Sequence, residues 1–189
     1  EKSLLDDGIK NGKEANFIQI PTAAGRESQD SLNYWKNLGH QQAERIGVQP
    51  IFLPIYTRDD AFKQEHVDAI KNSALMYMSG GDPHHLAEVL IDTPVWAAML
   101  ENWQSGASLA GCSAGAMVLS AQIPNFRMLK RSPSKGLNLL PEIRVIPHFN
   151  KFFKFLTGAC DECFSLYKFT GQRTWSGGGD CARKVSESL

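Results

Sequence analysis

Short apolar segments alternate along the chain with longer segments in which apolar residues recur every three to four positions. The apolar segments predict buried strands at residues 16–24, 48–55, 74–78, 108–112 and 142–147. The periodic segments predict helices at residues 28–46, 59–72, 83–90 and 93–105, and Leu4, Leu5 and Ile9 favour a short helix before the first strand. Parallel strands that are buried on both faces have such continuous apolar runs, so we expect an α/β fold with a mostly parallel sheet between helices.

Capping residues help to place the helix ends. Gly47 is expected to end the helix at 28–46, and Asp59-Asp60 to start the helix at 59–72. Thr93 precedes Pro94, which is a favoured order at a helix start.

Apolar spacing predicts which helical residues enter the core. In the helix at 28–46, Leu32, Trp35, Leu38 and Ala43 recur at intervals near 3.6. We interpret Trp35, Trp96 and Trp103, which all lie on helix patterns, as core residues.

The fourth strand leads into Gly111-Cys112-Ser113-Ala114-Gly115, a G-x-S-x-G sequence. Flanking glycines allow a sharp strand-to-helix turn that exposes the serine hydroxyl, with the helix opening at about residues 116–119. Ser113 is therefore the candidate nucleophile, and the alternative is an ordinary Gly/Ser-rich turn. Cys112 would point away from this site as a packed thiol.

A serine needs a base, and His148 is our candidate. It follows the predicted fifth strand, 35 residues after Ser113, and parallel strands place their carboxyl ends at one edge of a sheet. The alternative is a structural histidine. His40 and His66 have weaker claims, whereas His84 and His85 follow the Gly80-Gly81 turn and either line the pocket or lie on the surface.

The third member of a triad is not assigned by the sequence. Glu142 is the only carboxylate between Ser113 and His148, and six strand residues would separate it from His148 by about 20 Å. Asn150 would lie on the same face as His148 and could orient it through its amide. Asp161 and Glu162 come from a segment without a readable pattern.

Composition limits the classes of function. A chain of 189 residues with 42% hydrophobic residues suits one domain, and 20 basic residues balance 20 acidic ones. We therefore expect no nucleic-acid partner and, without a long apolar run, no membrane partner; the predicted location is the cytoplasm. Cys160 and Cys163 have a C-x-x-C spacing, but with Cys181 they supply only three thiols, so we predict no metal and no cofactor.

The chain resembles the cyanophycinase and dipeptidase E family of serine peptidases, in the class I glutamine amidotransferase-like superfamily. Five motifs in the family's order carry the resemblance over residues 16–150: Pro21-Thr22-Ala23-Ala24, Ser79-Gly80-Gly81-Asp82, Gly111-Cys112-Ser113-Ala114-Gly115-Ala116, Gly136-Leu137-Asn138-Leu139-Leu140-Pro141 and Pro147-His148-Phe149.

The resemblance implies a flavodoxin-like three-layer sandwich in which Ser113 is the nucleophile and His148 the base. It also implies an oxyanion hole formed by backbone N–H groups of Gly80, Gly81 and Ala114, with Asp82 and His84 as pocket residues. Known members cleave aspartyl dipeptides or β-aspartyl-arginine links. The family has a strand before the first one seen here and strands after its histidine, so we expect an incomplete N-terminus and a divergent tail at 151–189.

The function expected from these features is hydrolysis of a small peptide-like amide through an acyl-enzyme. The alternative is a relative of weak or no activity that acts as a binding or orphan domain. Glutamine amidotransfer is disfavoured, because Ser113 stands where that activity uses cysteine. Missing outer strands would leave open sheet edges, and a homodimer is one way of covering them.

Overall fold

In the part of the chain that the structure describes, four parallel strands form the main sheet, and their spatial order is β2-β1-β3-β4. The structure is a computed structural model, and it describes residues 1–124 and 134–147. The strands are β1 (Glu14–Ile20), β2 (Gln49–Phe52), β3 (Ser73–Met78) and β4 (Ser108–Gly111). This order is that of the first four strands of a flavodoxin-like sheet, so the predicted parallel α/β fold is confirmed.

Helices cover both faces of the sheet. In the described part of the chain they are α1 (Lys2–Lys10), α2 (Gln29–Ile46), α3 (Gln64–Ile70), α4 (Pro83–Leu90), α5 (Pro94–Gln104) and α6 (Ala114–Met117). Two 3-10 helices lie at Thr22–Ala24 and Asp60–Phe62, and β5 (Gln122–Ile123) pairs antiparallel with β6 (Ser134–Lys135).

Neighbouring residues of β1 enter different apolar cores, because successive side chains of a strand point to opposite faces. Ile18 and Ile20 join the larger core with Met76 of β3 and residues of α3, α4 and α5. Phe17 and Leu75 join the smaller core beneath α1 and α2. The sheet is thus the middle layer of three, as predicted.

The predicted helix boundaries agree with the structure at three capping residues. The Ser28 hydroxyl accepts a hydrogen bond from the N–H three residues later, at the start of α2. Gly47 ends α2 with a φ of 77°, which glycine adopts without strain. Thr93 caps α5 by accepting the N–H of Trp96.

The segment predicted as one helix over residues 59–72 is instead a 3-10 helix followed by α3. Asp60 caps no long helix, because its carboxylate accepts the N–H groups of Tyr56 and Thr57 and closes the turn after β2. Partial burial opposes ionisation of Asp60, but hydrogen bonds from Lys63 and Thr57 outweigh it and hold the pKa of this carboxyl far below its ordinary value.

Other boundaries and faces also differ from the predictions, among them the end of β2, which is Phe52 rather than residue 55. β1 ends at Ile20 rather than at residue 24, because Pro21 has no N–H for the ladder and a 3-10 turn follows. Ile9 is 38% exposed and Leu38 is 42% exposed, so neither belongs to the cores. Small residues of the same helices, Gly8 and Gly39, are buried instead.

The predicted fifth strand at residues 142–147 is wrong. In the described residues this segment pairs with no strand, and the N–H of Ile143 donates to a carbonyl in a turn. Val145 is buried in the larger core, whereas Ile146 is 40% exposed. The segment between Pro141 and Pro147 packs on one side only, so apolar residues that face the core alternate with exposed ones as they would in a strand.

The chain adds β2 on one side of β1 and then returns to add β3 and β4 on the other side, so the order of strand addition reverses between β1 and β3. In open α/β sheets such a switch leaves a crevice at the carboxyl ends of the strands, where ligands bind. Gly80-Gly81 follows β3 and Ser113 follows β4. The fold therefore brings the glycine turn and the serine to the same edge.

Our first prediction concerns Gly8, where α1 crosses β3. A β-carbon on Gly8 would lie 2.2 Å from the Ala74 carbonyl oxygen. We expect Gly8→Ala to lower the free energy of unfolding by about 1–3 kcal/mol, because the helix must move away from the sheet. Urea denaturation measures this loss. Lys10→Ala, at an exposed position of α1, is the control and should change stability by less than about 0.5 kcal/mol; equal losses would contradict the close approach.

Candidate active site

Ser113 joins β4 to α6 through a turn that has no room for side chains on either side. A β-carbon on Gly111 would lie 2.5 Å from the Gly115 carbonyl carbon, and one on Gly115 would lie 2.3 Å from the Met78 carbonyl oxygen. Ser113 itself has a φ of 48° and a ψ of −110°, in a region that residues with a side chain rarely adopt. The predicted elbow is confirmed, and the Ser113 side chain is half-buried at the strand end.

Helix α6 begins directly after the serine, two residues earlier than expected. The N–H groups of Ala116 and Met117 both donate to the Ser113 carbonyl oxygen. The serine is thereby fixed at the junction of strand and helix.

The Gly80-Gly81 turn lies against the serine. A β-carbon on Gly80 would be 3.4 Å from the Ser113 β-carbon. Gly81 has a φ of 138°, and a β-carbon there would be 2.4 Å from the Ala23 carbonyl oxygen. At Gly81 both the backbone conformation and the lack of space therefore favour glycine.

Three backbone N–H groups beside the serine have no acceptor in the described segments: those of Gly80, Gly81 and Ala114. Their neighbours are paired, since Ser79 donates to the Ile20 carbonyl and Asp82 donates to the Ala23 carbonyl. Unpaired N–H donors next to a nucleophile are the groups that stabilise an oxyanion.

Asp82 and His84, predicted as pocket residues, have structural partners. The Asp82 carboxylate caps α4 by accepting the N–H groups of His84 and His85. The Nδ1 atom of His84 hydrogen-bonds with the Ser134 hydroxyl of β6. Contact of either residue with a substrate stays a prediction.

His85 is buried rather than exposed, and it holds α4 against two loops. Only 5% of it is exposed, and its Nε2–H donates to the Tyr56 carbonyl at 2.9 Å. A β-carbon on Gly25 would lie 2.8 Å from Nε2, so the loop after β1 packs closely here as well. Burial, and then the charge of Arg26, lower the pKa of His85 and favour its neutral form.

Trp35 and Gln19 are the site-adjacent residues that sequence reasoning missed. Trp35 belongs to neither core, contrary to expectation; it is half-buried and its ring lies over Gly80. Gln19 is 4% exposed and donates to the Trp35 carbonyl at 2.6 Å. A glutamine inside an otherwise apolar strand is the signal that could have directed attention here.

Trp96 and Trp103 are half-buried and pack against the larger core, as predicted. Cys112 is also half-buried, and it neighbours Tyr77, which packs against the smaller core. Burial, together with the Cys112 thiol, raises the pKa of Tyr77. Cys112 therefore lies on the face covered by α1 and α2, in keeping with a packed thiol.

Several predicted residues lie outside the described segments: the base His148, the orienting residue Asn150, and Asp161 and Glu162. Glu142 is exposed. Within residues 1–124 and 134–147, no group of three or more His, Cys, Asp or Glu side chains could hold a metal ion. No helix in those ranges is both long and apolar enough to cross a membrane.

A three-layer α/β protein with a serine on a strand-end elbow is the class that the fold and site define. The chain belongs to peptidase family S51, whose family model matches residues 2–164. The resemblance inferred from the motifs is confirmed.

Individual relatives agree with this assignment. The chain is 31% identical over 150 residues to the cyanophycinase of Synechococcus elongatus. This alignment covers 74% of this chain and 44% of the cyanophycinase. The chain thus spans about half the length of the curated cyanophycinases it matches.

Two solved structures are similar. A peptidase from an acI-B1 Actinobacterium is 57% identical with a TM-score of 0.78, over 82% of this chain and 64% of that one. A putative peptidase E protein of Listeria monocytogenes, 20% identical with a TM-score of 0.61 over 94% and 95% of the two chains, shares the fold.

Our second prediction concerns the pH dependence of stability. The unfolded chain protonates His85 near pH 6.5, whereas burial makes the folded protein do so only at lower pH. The same holds for His66, whose pKa is also lowered by burial. The free energy of unfolding should therefore be constant near pH 8 and fall as the pH drops below about 6.5.

Replacing His85 tests how much its imidazole contributes to the pH dependence of the free energy of unfolding. His85→Gln keeps a donor for the Tyr56 carbonyl but does not titrate, so its stability should fall less between pH 7.5 and pH 5 than that of the wild type. Urea denaturation at both pH values measures the difference. An identical pH dependence in the two proteins would show that His85 protonates as readily in the folded as in the unfolded state.

Proposed function

We propose that this protein is a serine-type peptidase or amidohydrolase that cleaves a small peptide-like amide through an acyl-enzyme. The observation that carries the proposal is the elbow serine lying beside unpaired backbone N–H groups. Family membership supports hydrolysis as the reaction.

In the proposed reaction the Ser113 hydroxyl attacks the carbonyl carbon of the amide. His148 accepts the hydroxyl proton as the new C–O bond forms. The carbonyl oxygen becomes negatively charged, and the N–H groups of Ala114, Gly80 and Gly81 donate to it. Asn150 is our candidate for orienting the imidazole.

Collapse of this intermediate breaks the C–N bond. His148 then gives its proton to the leaving amine, and the acyl group remains on Ser113 as an ester. A water molecule, deprotonated by the same imidazole, attacks the ester; the C–O bond to Ser113 breaks, the imidazole returns its proton to the serine oxygen, and the acid is released. No redox partner or cofactor enters this balance.

The substrate class we favour is an aspartyl or β-aspartyl peptide. The support is similarity to proteins described as cyanophycinases, together with the five motifs shared with the cyanophycinase and dipeptidase E family. The small residues of the Gly80-Gly81 turn would let a substrate carbonyl approach the serine closely.

Our third prediction is that a fluorophosphonate probe labels the protein on Ser113, because only an activated serine reacts with it. Mass spectrometry of the labelled peptide identifies the site, and hydrolysis of aspartyl dipeptides and of β-aspartyl-arginine tests the substrate class. Ser113→Ala should abolish both signals, and His148→Gln should slow both by at least about a hundredfold.

The outcomes separate the candidate functions. Labelling with hydrolysis of either aspartyl substrate supports the proposal in full. Absence of labelling in folded protein would favour a binding or orphan domain without catalysis. Labelling without hydrolysis would contradict the substrate class and leave the serine chemistry in place.

Our fourth prediction is that Gly81→Val slows labelling by at least about tenfold, because the new side chain must displace the turn that supplies oxyanion donors. Gly12→Val is the matched control: Gly12 also has a positive φ, but no atom lies within 4 Å of its β-carbon position. Circular dichroism checks that both variants fold. Equal labelling rates in the two variants would mean that the oxyanion is stabilised elsewhere.

A further inference from the structure

We propose that Trp35 forms a wall of the substrate cleft beside Ser113 and limits the size of the acyl group that the serine accepts. The inference rests on the proposed function, because it assigns a specificity-determining residue to the same site. None of the five family motifs in this chain contains Trp35.

The first argument is the position of the indole. A β-carbon on Gly80 would lie 3.1 Å from the Trp35 Cη2 atom and 3.4 Å from the Ser113 β-carbon. The indole edge and the Ser113 β-carbon therefore both lie next to Gly80, close to each other. An acyl group on Ser113 that extends towards Gly80 would meet this ring.

The second argument is that Trp35 is not needed to fill a core. The larger and smaller cores are closed by other residues, and the Trp35 side chain is half-buried at the carboxyl edge of the sheet. Tyr34, its neighbour on α2, is 60% exposed and meets it edge to face, with ring centroids 5.5 Å apart. Because Trp35 is half-buried, part of it is exposed to solvent in the segments that the structure describes.

The third argument is that a buried polar contact fixes this part of α2. The Gln19 amide donates to the Trp35 carbonyl at 2.6 Å and lies 3.4 Å from the Ser79 hydroxyl, one residue before Gly80. The Gln19 carboxamide occupies the space that a β-carbon on Gly39 would take. A buried amide that lost these partners would be desolvated without a hydrogen bond, so the contact favours one position of the Trp35 backbone relative to the glycine turn.

If Trp35 is a rigid wall of the cleft, the site should select acyl groups by size. Truncating Trp35 should open space next to Ser113, and bulky acyl groups should benefit more than small ones. Differences of one or a few carbon groups in a pocket commonly change selectivity by about tenfold or more.

The experiment compares two activated esters, p-nitrophenyl acetate and p-nitrophenyl phenylacetate. Only the p-nitrophenolate release that is lost in Ser113→Ala is counted. In Trp35→Ala, the ratio of kcat/KM for phenylacetate to that for acetate should rise at least about tenfold, and in Trp35→Phe it should rise less. Gln19→Leu, which keeps the side-chain bulk but cannot donate to the Trp35 carbonyl, should shift the ratio in the same direction by a smaller factor.

Trp96→Ala is the matched control, because Trp96 is also a half-buried tryptophan but packs against the larger core on α5. Its ratio should stay within about twofold of the wild type. An unchanged ratio in folded Trp35→Ala would overturn the inference, as would an equal rise in Trp96→Ala.

A binding measurement separates this inference from the proposed function. If the wild type releases no Ser113-dependent p-nitrophenolate, catalysis fails but the wall can still be tested by calorimetry with phenylacetamide and acetamide. In the Ser113→Ala background, adding Trp35→Ala should then favour phenylacetamide over acetamide by at least about tenfold. No change in this preference would refute the wall independently of catalysis.

Discussion

The close approach of three backbones at the carboxyl edge of the sheet is the constraint on which the candidate site depends. The end of β3, the end of β4 and the start of α6 meet where Gly111 and Gly115 have space for hydrogen atoms alone. A side chain on Gly115 would force α6 away from Met78, and one on Gly111 would force α6 away from the end of β4. The strained conformation of Ser113 persists because the surrounding packing determines it on every side.

Polar groups then hold the loops at that edge. Gln19 connects α2 to the residue before the glycine turn, and His85 connects α4 to the Tyr56 carbonyl. Asp60 closes the turn that contains Tyr56. His85 and Asp60 satisfy loop backbone groups that the regular strands and helices leave unpaired, whereas Gln19 adds a contact to a carbonyl within α2.

This arrangement suggests a division of tasks between the two faces of the sheet. The larger core beneath α3, α4 and α5 supports the strand ends, whereas α2 on the opposite face places Trp35 over Gly80. The chemistry we propose would come from the strand-end serine and its neighbouring amides, while selection among substrates would come from the helix. Variation in α2 could then alter specificity without disturbing the elbow.

The sequence by itself determined the parallel sheet, the caps of α2 and α5 and the elbow at Ser113, because apolar runs, capping residues and flanking glycines act locally. It misjudged residues 142–147, where one-sided packing resembles a strand, and residues 59–72, where Asp60 serves the preceding turn. Only the tertiary structure decided that Trp35 lies beside the serine, because that contact joins a helix to a loop 45 residues away in the chain. Helical spacing predicts which face of a helix is apolar, but it does not predict which neighbouring element that face contacts.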